Sequence, residues 1–207
     1  MMRRTAGLAL TALLAPMLVL SAQAKVRFTL GATGNAARYI VREQLAAATV
    51  ENDAVGATSA LTGGLLIDPS GKVDTSASKW TVDLTTLKSD RSMRDRYLQG
   101  RTLETAQFPT AELVVTEIKG LPGTFPTAGR LTLTLLGNFT MHGVTKATVW
   151  DVTATVAGDH VSGKATIHVK FGDFNLSQPH VPVVASVVDD IILEYDFHLI
   201  RAESPKP

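Results

Sequence analysis

The chain has no cysteine among its 207 residues. That excludes a disulfide scaffold, a thiol nucleophile, a cysteine metal site and a lipid anchor attached through cysteine. Charge of one sign is missing too, with 20 Lys and Arg against 19 Asp and Glu, and so balanced a surface argues against nucleic acid as a partner. Aromatic residues make up only 6%, too few for the two interfacial girdles of an outer-membrane barrel. The final Ser204-Pro205-Lys206-Pro207 is likewise unlike the aromatic-terminated strand of such a barrel. Enzyme signatures are absent: no Gly-x-Ser-x-Gly elbow, no His-Glu-x-x-His and no phosphate-cradling glycine loop. His142, His160, His168, His180 and His198 lack the spacing of metal ligands. Asp189 and Asp190 are adjacent, so on a strand they would face opposite ways. No catalytic residue, metal site or resident cofactor is therefore expected.

Long apolar runs are scarce as well. The one at Ala6 to Leu20 follows Met1-Met2-Arg3-Arg4 and precedes Ala22-Gln23-Ala24. A basic start, an apolar stretch and a small-x-small site read as a secretory signal peptide over residues 1–24. Cleavage after Ala24 is expected, leaving residues 25–207 as a single domain in the periplasm or secreted. Loss of Arg3 and Arg4 would turn the formal net charge from +1 to −1.

What is present is alternation. Lys79 to Leu87 puts Trp80, Val82 and Leu84 on one face and Thr81, Asp83 and Thr85 on the other. Strands are also expected at 26–30, 37–41, 58–67, 111–118, 130–141, 145–156, 161–171 and 191–200. Asp68-Pro69-Ser70-Gly71 reads as a turn, and His142-Gly143 and Gly158-Asp159 as tight hairpins. Residues 44–56 and 172–190 are left as long loops. With the first two strands counted as one bent strand, the total is eight, joined by short links that make neighbours antiparallel. This fits an all-β, eight-stranded antiparallel up-and-down barrel of lipocalin-like form. A filled sandwich is the alternative.

One short helix interrupts the series, within Lys88 to Pro109. Asp90 is a good N-cap residue. Met93 and Tyr97 are spaced to share a face. Gly100 suits a left-handed helix end, and Phe108-Pro109 forces extended chain. A lone helix between strands points to a lid or plug on a closed β structure.

Three segments carry a resemblance. Asp90, Arg94-Asp95 and Leu98 followed by Phe108-Pro109-Thr110 form the first. Gly137 through Lys146, with its His142-Gly143-Val144-Thr145-Lys146 ending, is the second. Phe171-Gly172-Asp173-Phe174-Asn175-Leu176 with Val187 to Leu199 is the third. Their order resembles the YceI-like family of periplasmic lipid-binding proteins. The resemblance implies an extended barrel that holds a polyisoprenoid, an isoprenoid quinone or a related amphiphile. The first strand departs from that family's His-Ser pair, since Gly34 to Tyr39 contains no histidine.

On this reading the ligand wall comprises Tyr39, Val41, Trp80, Val82, Leu84, Leu131, Leu133, Trp150, Ile167, Phe171, Tyr195 and Phe197. By periodicity alone the same residues would make a packed core; the resemblance favours a tunnel. Arg94 on the helix and His180 in the closing loop are candidate mouth residues. The expected function is binding, transport or storage of a long-chain isoprenoid lipid without catalysis. The expected partners are that lipid and, transiently, a membrane protein or membrane surface, with a homodimer allowed. Two alternatives come from other classes: an enzyme acting on a hydrophobic substrate, which a carboxylate buried in the barrel would favour, and a stress-related interaction protein with a filled barrel.

Overall fold

The computed structural model describes residues 25–123 and 125–203; the expected signal peptide lies outside them. Eleven strands run in order: β1 (Val26–Leu30), β2 (Ala36–Leu45), β3 (Asn52–Thr58), β4 (Leu61–Ile67), β5 (Lys79–Asp83), β6 (Lys88–Ser89), β7 (Thr110–Lys119), β8 (Ala128–Met141), β9 (Val144–Ala157), β10 (His160–Val169) and β11 (Val184–Glu203). Helix α1 (Ser92–Tyr97) lies between β6 and β7. All pairings are antiparallel.

Three of the barrel's staves are broken in two. β1 and β2 both pair with β11, the first with its C-terminal end and the second with its N-terminal half. β4 then pairs with β1, and β3 with β2. β5 pairs with β4, and β6 with β3. Counting each broken pair once gives a closed antiparallel barrel of eight strands, as expected.

The breaks have local causes. Between β1 and β2 the side chain of Asn35 substitutes for ladder bonds: its amide donates to the Gly31 carbonyl at 2.9 Å and its oxygen accepts from the His198 N–H at 3.0 Å. Within 79–87 the expected single strand is split by a 3-10 turn at Leu84–Thr86, because the Asp83 carboxylate captures the Thr85 N–H at 2.9 Å. Leu84 remains buried.

Two expected loops are shorter than anticipated. β2 continues to Leu45 and β3 begins at Asn52, so the first link is confined to 46–51. β11 starts at Val184, with register shifts before Ile191. The hairpins hold: His142 and Gly143 have φ of 50° and 74°, the pair of positive values that a two-residue hairpin matched to strand twist requires.

Alternation positions the core. Trp150, Val152, Ala154 and Val156 of β9 are buried, while Asp151, Thr153, Thr155 and Ala157 are exposed. At 14 residues each, β8 and β9 extend roughly 46 Å, or roughly 35 Å along the axis at a tilt of about 40°.

Candidate functional site

The barrel is hollow. Its interior cavity of about 750 Å³ is walled by apolar side chains from every broken or unbroken stave. Of the expected wall residues, Tyr39, Val41, Trp80, Val82, Leu84, Leu131, Leu133, Trp150, Phe171, Tyr195 and Phe197 line it, as does Arg94. Ile167 and His180 are not among its lining residues. Ile167 has the inward phase but packs against the buried cluster. His180 is exposed, bonded through Nδ1 to the Gln178 carbonyl at 2.9 Å, while its neighbours Pro179 and Val181 line the cavity.

Aromatic contacts stiffen the wall. Trp80 and Tyr195 lie 5.9 Å apart between ring centroids, Tyr195 and Phe197 5.8 Å, and Phe139 and Trp150 5.5 Å at a near-perpendicular angle. Polar tips are tied back: Trp150 Nε1 donates to Thr148 at 3.0 Å, and the Tyr195 hydroxyl donates to Asn35 at 3.3 Å. Burial pushes the Tyr195 phenol well above its ordinary range.

The two ends differ. At the end holding the β9–β10 hairpin, Phe28 packs on Phe125 at 5.1 Å, and the Arg201 guanidinium stacks over Phe125 at 5.4 Å. Leu121 and Ile67 complete this floor. At the other end stands α1. Its expected N-cap, Asp90, caps nothing; the first helical residue follows Arg91, and the Asp90 carboxylate instead binds Arg94. Gly100 does not end the helix, which continues through a π turn at Leu98–Thr102, and the nearby left-handed residue is Glu104.

The Arg94-Asp95 pair fastens this lid. Asp95 accepts from the backbone N–H and the hydroxyl of Ser89 on β6, at 2.8 and 2.6 Å. Arg94 donates to Glu43 of β2 at 2.7 Å. That ion pair is buried, with side chains 12% and 8% exposed. Burial alone would push the Arg94 guanidinium down, but the Glu43 and Asp90 carboxylates hold it above its usual range. Farther along, Gln99 donates to the Thr85 and Leu87 carbonyls, each at 3.2 Å. His142 joins Glu104 at 2.9 Å, so the β8–β9 turn also holds the lid.

Glu43 was not among the expected site residues. The signal was available: Tyr39, Val41 and Glu43 occupy alternate positions of one strand, so an acidic residue falls on an apolar inner face. The expected strand stopped at Val41 and hid it. Tyr39 itself lies across Gly56 of the paired strand, where a Cβ would meet its ring at 2.2 Å. Its hydroxyl is buried with Ser89 as its polar neighbour. Burial pushes the Tyr39 phenol up to about 12.

Among other acidic residues, Asp151 is exposed and Asp83 bonds Thr85. Glu194 pairs with Lys164 at 2.7 Å, yet its side chain is only 16% exposed and it is among the residues lining the cavity, as is Arg38. Among the described residues no group of three or more potential metal ligands occurs, and no helix is long and apolar enough to cross a membrane.

Comparison with known proteins agrees with this architecture. The family model described as a YceI-like domain matches residues 22–199. A polyisoprenoid-binding domain from Saccharophagus degradans superposes with a TM-score of 0.64 at 11% identity, covering 84% of this chain and 98% of that one. BcnA of Burkholderia cenocepacia gives 0.54 at 18% identity, over 81% and 96%. The YCEI protein of Campylobacter jejuni gives 0.53 at 16% identity, over 73% and 85%. No curated protein matches the chain.

Proposed function

The chain belongs to the YceI-like family, and on that premise we propose that it is a carrier or store for a long-chain isoprenoid lipid, held inside the barrel without chemical change. The observation that carries this reading is the continuous apolar cavity of about 750 Å³ between the Phe28–Phe125 floor and the α1 lid. Each CH2 buried there contributes about 0.8 kcal/mol, so a chain of several isoprene units gains affinity without directional groups. The polyisoprenoid-binding description of the Saccharophagus degradans neighbour supports the same ligand class. The export reading of residues 1–24 supports a periplasmic or secreted site of action.

On the side of catalysis stand two largely buried carboxylates on the cavity wall, Glu43 and Glu194, the second paired with Lys164 at 2.7 Å. Glu43 is spent on Arg94, however, and no histidine lines the cavity to serve as an acid–base partner among the described residues. The arrangement suits holding better than turnover.

Native mass spectrometry of the protein purified from its source, followed by organic extraction, tests the reading. A stoichiometric prenyl chain is expected, lost in Leu133→Asp. A lipid-free protein that also refuses added prenyl lipids overturns it.

A further inference from the structure

We propose that the lid end of the barrel docks on a membrane: an apolar rim around the mouth enters the interface of an anionic bilayer, and the cations of the lid segment meet its phosphates. The inference rests on the carrier reading and gives that carrier the phase from which its lipid is drawn.

Three chain segments meet at this end. The 46–51 link is tied to the closing loop, since the Ala46 N–H donates to the Val183 carbonyl at 3.0 Å. α1 is tied to the strand before that link through Arg94 and Glu43. Each segment turns one large apolar side chain outward: Val50 at 73% exposure, Met93 at 70% and Val183 at 62%. These are the three most exposed large apolar side chains among the described residues, and none of the six so exposed belongs to the floor. A scattered exposed apolar residue is ordinary, whereas a group that rims a pocket marks a binding surface. Met93 and Val183 also line the cavity, with Pro179 and Val181 beside them. The apolar surface of the interior thus runs out onto the rim.

The charge selects the occupant. From Lys88 to Arg101 the chain carries Lys88, Arg91, Arg94, Arg96 and Arg101 against Asp90 and Asp95, a surplus of three cations. Arg94 is committed to Glu43 and Asp90. Arg91 is 53% exposed, and Asp90, its charged neighbour at 3.7 Å, makes no hydrogen bond with it. Lys88, Arg96 and Arg101 are exposed and enter no ion pair among the described residues. Of the acids near the rim, Asp53 is paired with Arg42 at 2.8 Å and Glu51 is exposed. Guanidinium groups beside exposed apolar side chains match the boundary of a bilayer, where phosphates border the acyl region. Cations near such a surface add an attraction that salt weakens. An apolar protein partner would leave these cations unanswered, and a second copy would set like charges face to face. A lipid entering here passes from acyl phase to tunnel without crossing water.

The test sediments the protein purified from its source with vesicles of phosphatidylcholine, or of equal parts phosphatidylcholine and phosphatidylglycerol. Wild type is expected to favour the anionic vesicles by about tenfold or more, and less so at high salt. Met93→Asp and Val183→Asp should each weaken that association by about tenfold, and Arg91→Ala by about fivefold. Val149→Asp, at a 57% exposed site midway along β9, should leave it unchanged. No association, or association that the rim variants share with wild type, overturns the inference. Equal association with both kinds of vesicle overturns the role of the cations. Binding to native membranes but to neither vesicle assigns the rim to a membrane protein, and a rim-dependent dimer in light scattering assigns it to a second copy; either overturns the inference. Organic extraction of the same preparation keeps the two readings apart. A bound prenyl chain without vesicle association leaves the carrier reading standing, and a lipid-free protein that refuses added prenyl lipids overturns that reading itself.

Discussion

The floor and the lid of this barrel close the same cavity by different means. The floor is made of bulk: Phe28 at 2% exposure, its Phe125 partner, Ile67 and Leu121. The lid is made of a few directional bonds, from Arg94 to Glu43, from Ser89 to Asp95 and from Gln99 to two carbonyls. No apolar residue of α1 is buried; only the Arg94 side chain, at 12% exposure, is largely covered. Close-packed apolar contacts are lost only when the structure around them is lost, whereas hydrogen bonds to groups that water reaches once the lid lifts are replaced by bonds to water. One end is thus held by packed bulk and the other by a small number of directional bonds.

The largest effect should come from the floor. Phe28→Ala is expected to destabilise the whole protein by about 3–5 kcal/mol, measured by urea unfolding. Arg94→Ala strikes the lid. It should lower global stability by about 1–2 kcal/mol, less than the 3–5 kcal/mol of a broken pair that stays buried, because the lid can lift and let Glu43 hydrate. Hydrogen exchange in residues 90–105 should quicken by about tenfold or more. A loss of global stability equal to that of Phe28→Ala would break the comparison. Asp95→Ala is next, at about 1 kcal/mol for a lost cap-like contact, again read as faster local exchange with little change at the floor.

The smallest effect is a pH dependence. Burial raises the Tyr39 phenol from its usual 10.0 to about 12 and moves Tyr195 in the same direction. Because the folded state holds these protons more tightly than the unfolded one, their contribution is complete below about pH 10 and is lost as pH rises through about 12. Thermal unfolding followed from pH 8 upward should show this decline, and Tyr39→Phe should flatten part of it. An unchanged profile in Tyr39→Phe would mean that the mouth tyrosine is not shielded as the structure has it.

Much of the fold could be read before the structure, and the failures share a cause. β5 and β7 to β10 were legible because their inner faces are uniformly apolar. β3, with the sequence NDAVGAT, carries mostly residues that disfavour strands; it is a strand because β2 and β6 pair with it on either side, and that is tertiary information. The helix was legible, but its cap was misassigned because Arg94 outcompetes the backbone for Asp90. The wall residues were legible as a face. That the face surrounds a space was not, since periodicity is the same for a filled and an empty barrel. Glu43 broke the apolar pattern at an inward position, and a strand extended by two residues would have revealed the mouth.

The ladders that close the barrel join Val26–Leu30 to Leu199–Glu203 and β2 to the preceding part of β11, the first strands of the described chain to the last. Bringing such distant segments together carries the full entropy of loop closure, and ladders of this kind make folding slow. The seam between β11 and the β1–β2 stave should therefore be the last to form. Until it does, the wall is an open, curved sheet with its apolar side accessible along its whole length. A long greasy chain then need not be threaded end-first past the lid: the sheet can roll up around it, so that filling the container and completing it become a single event.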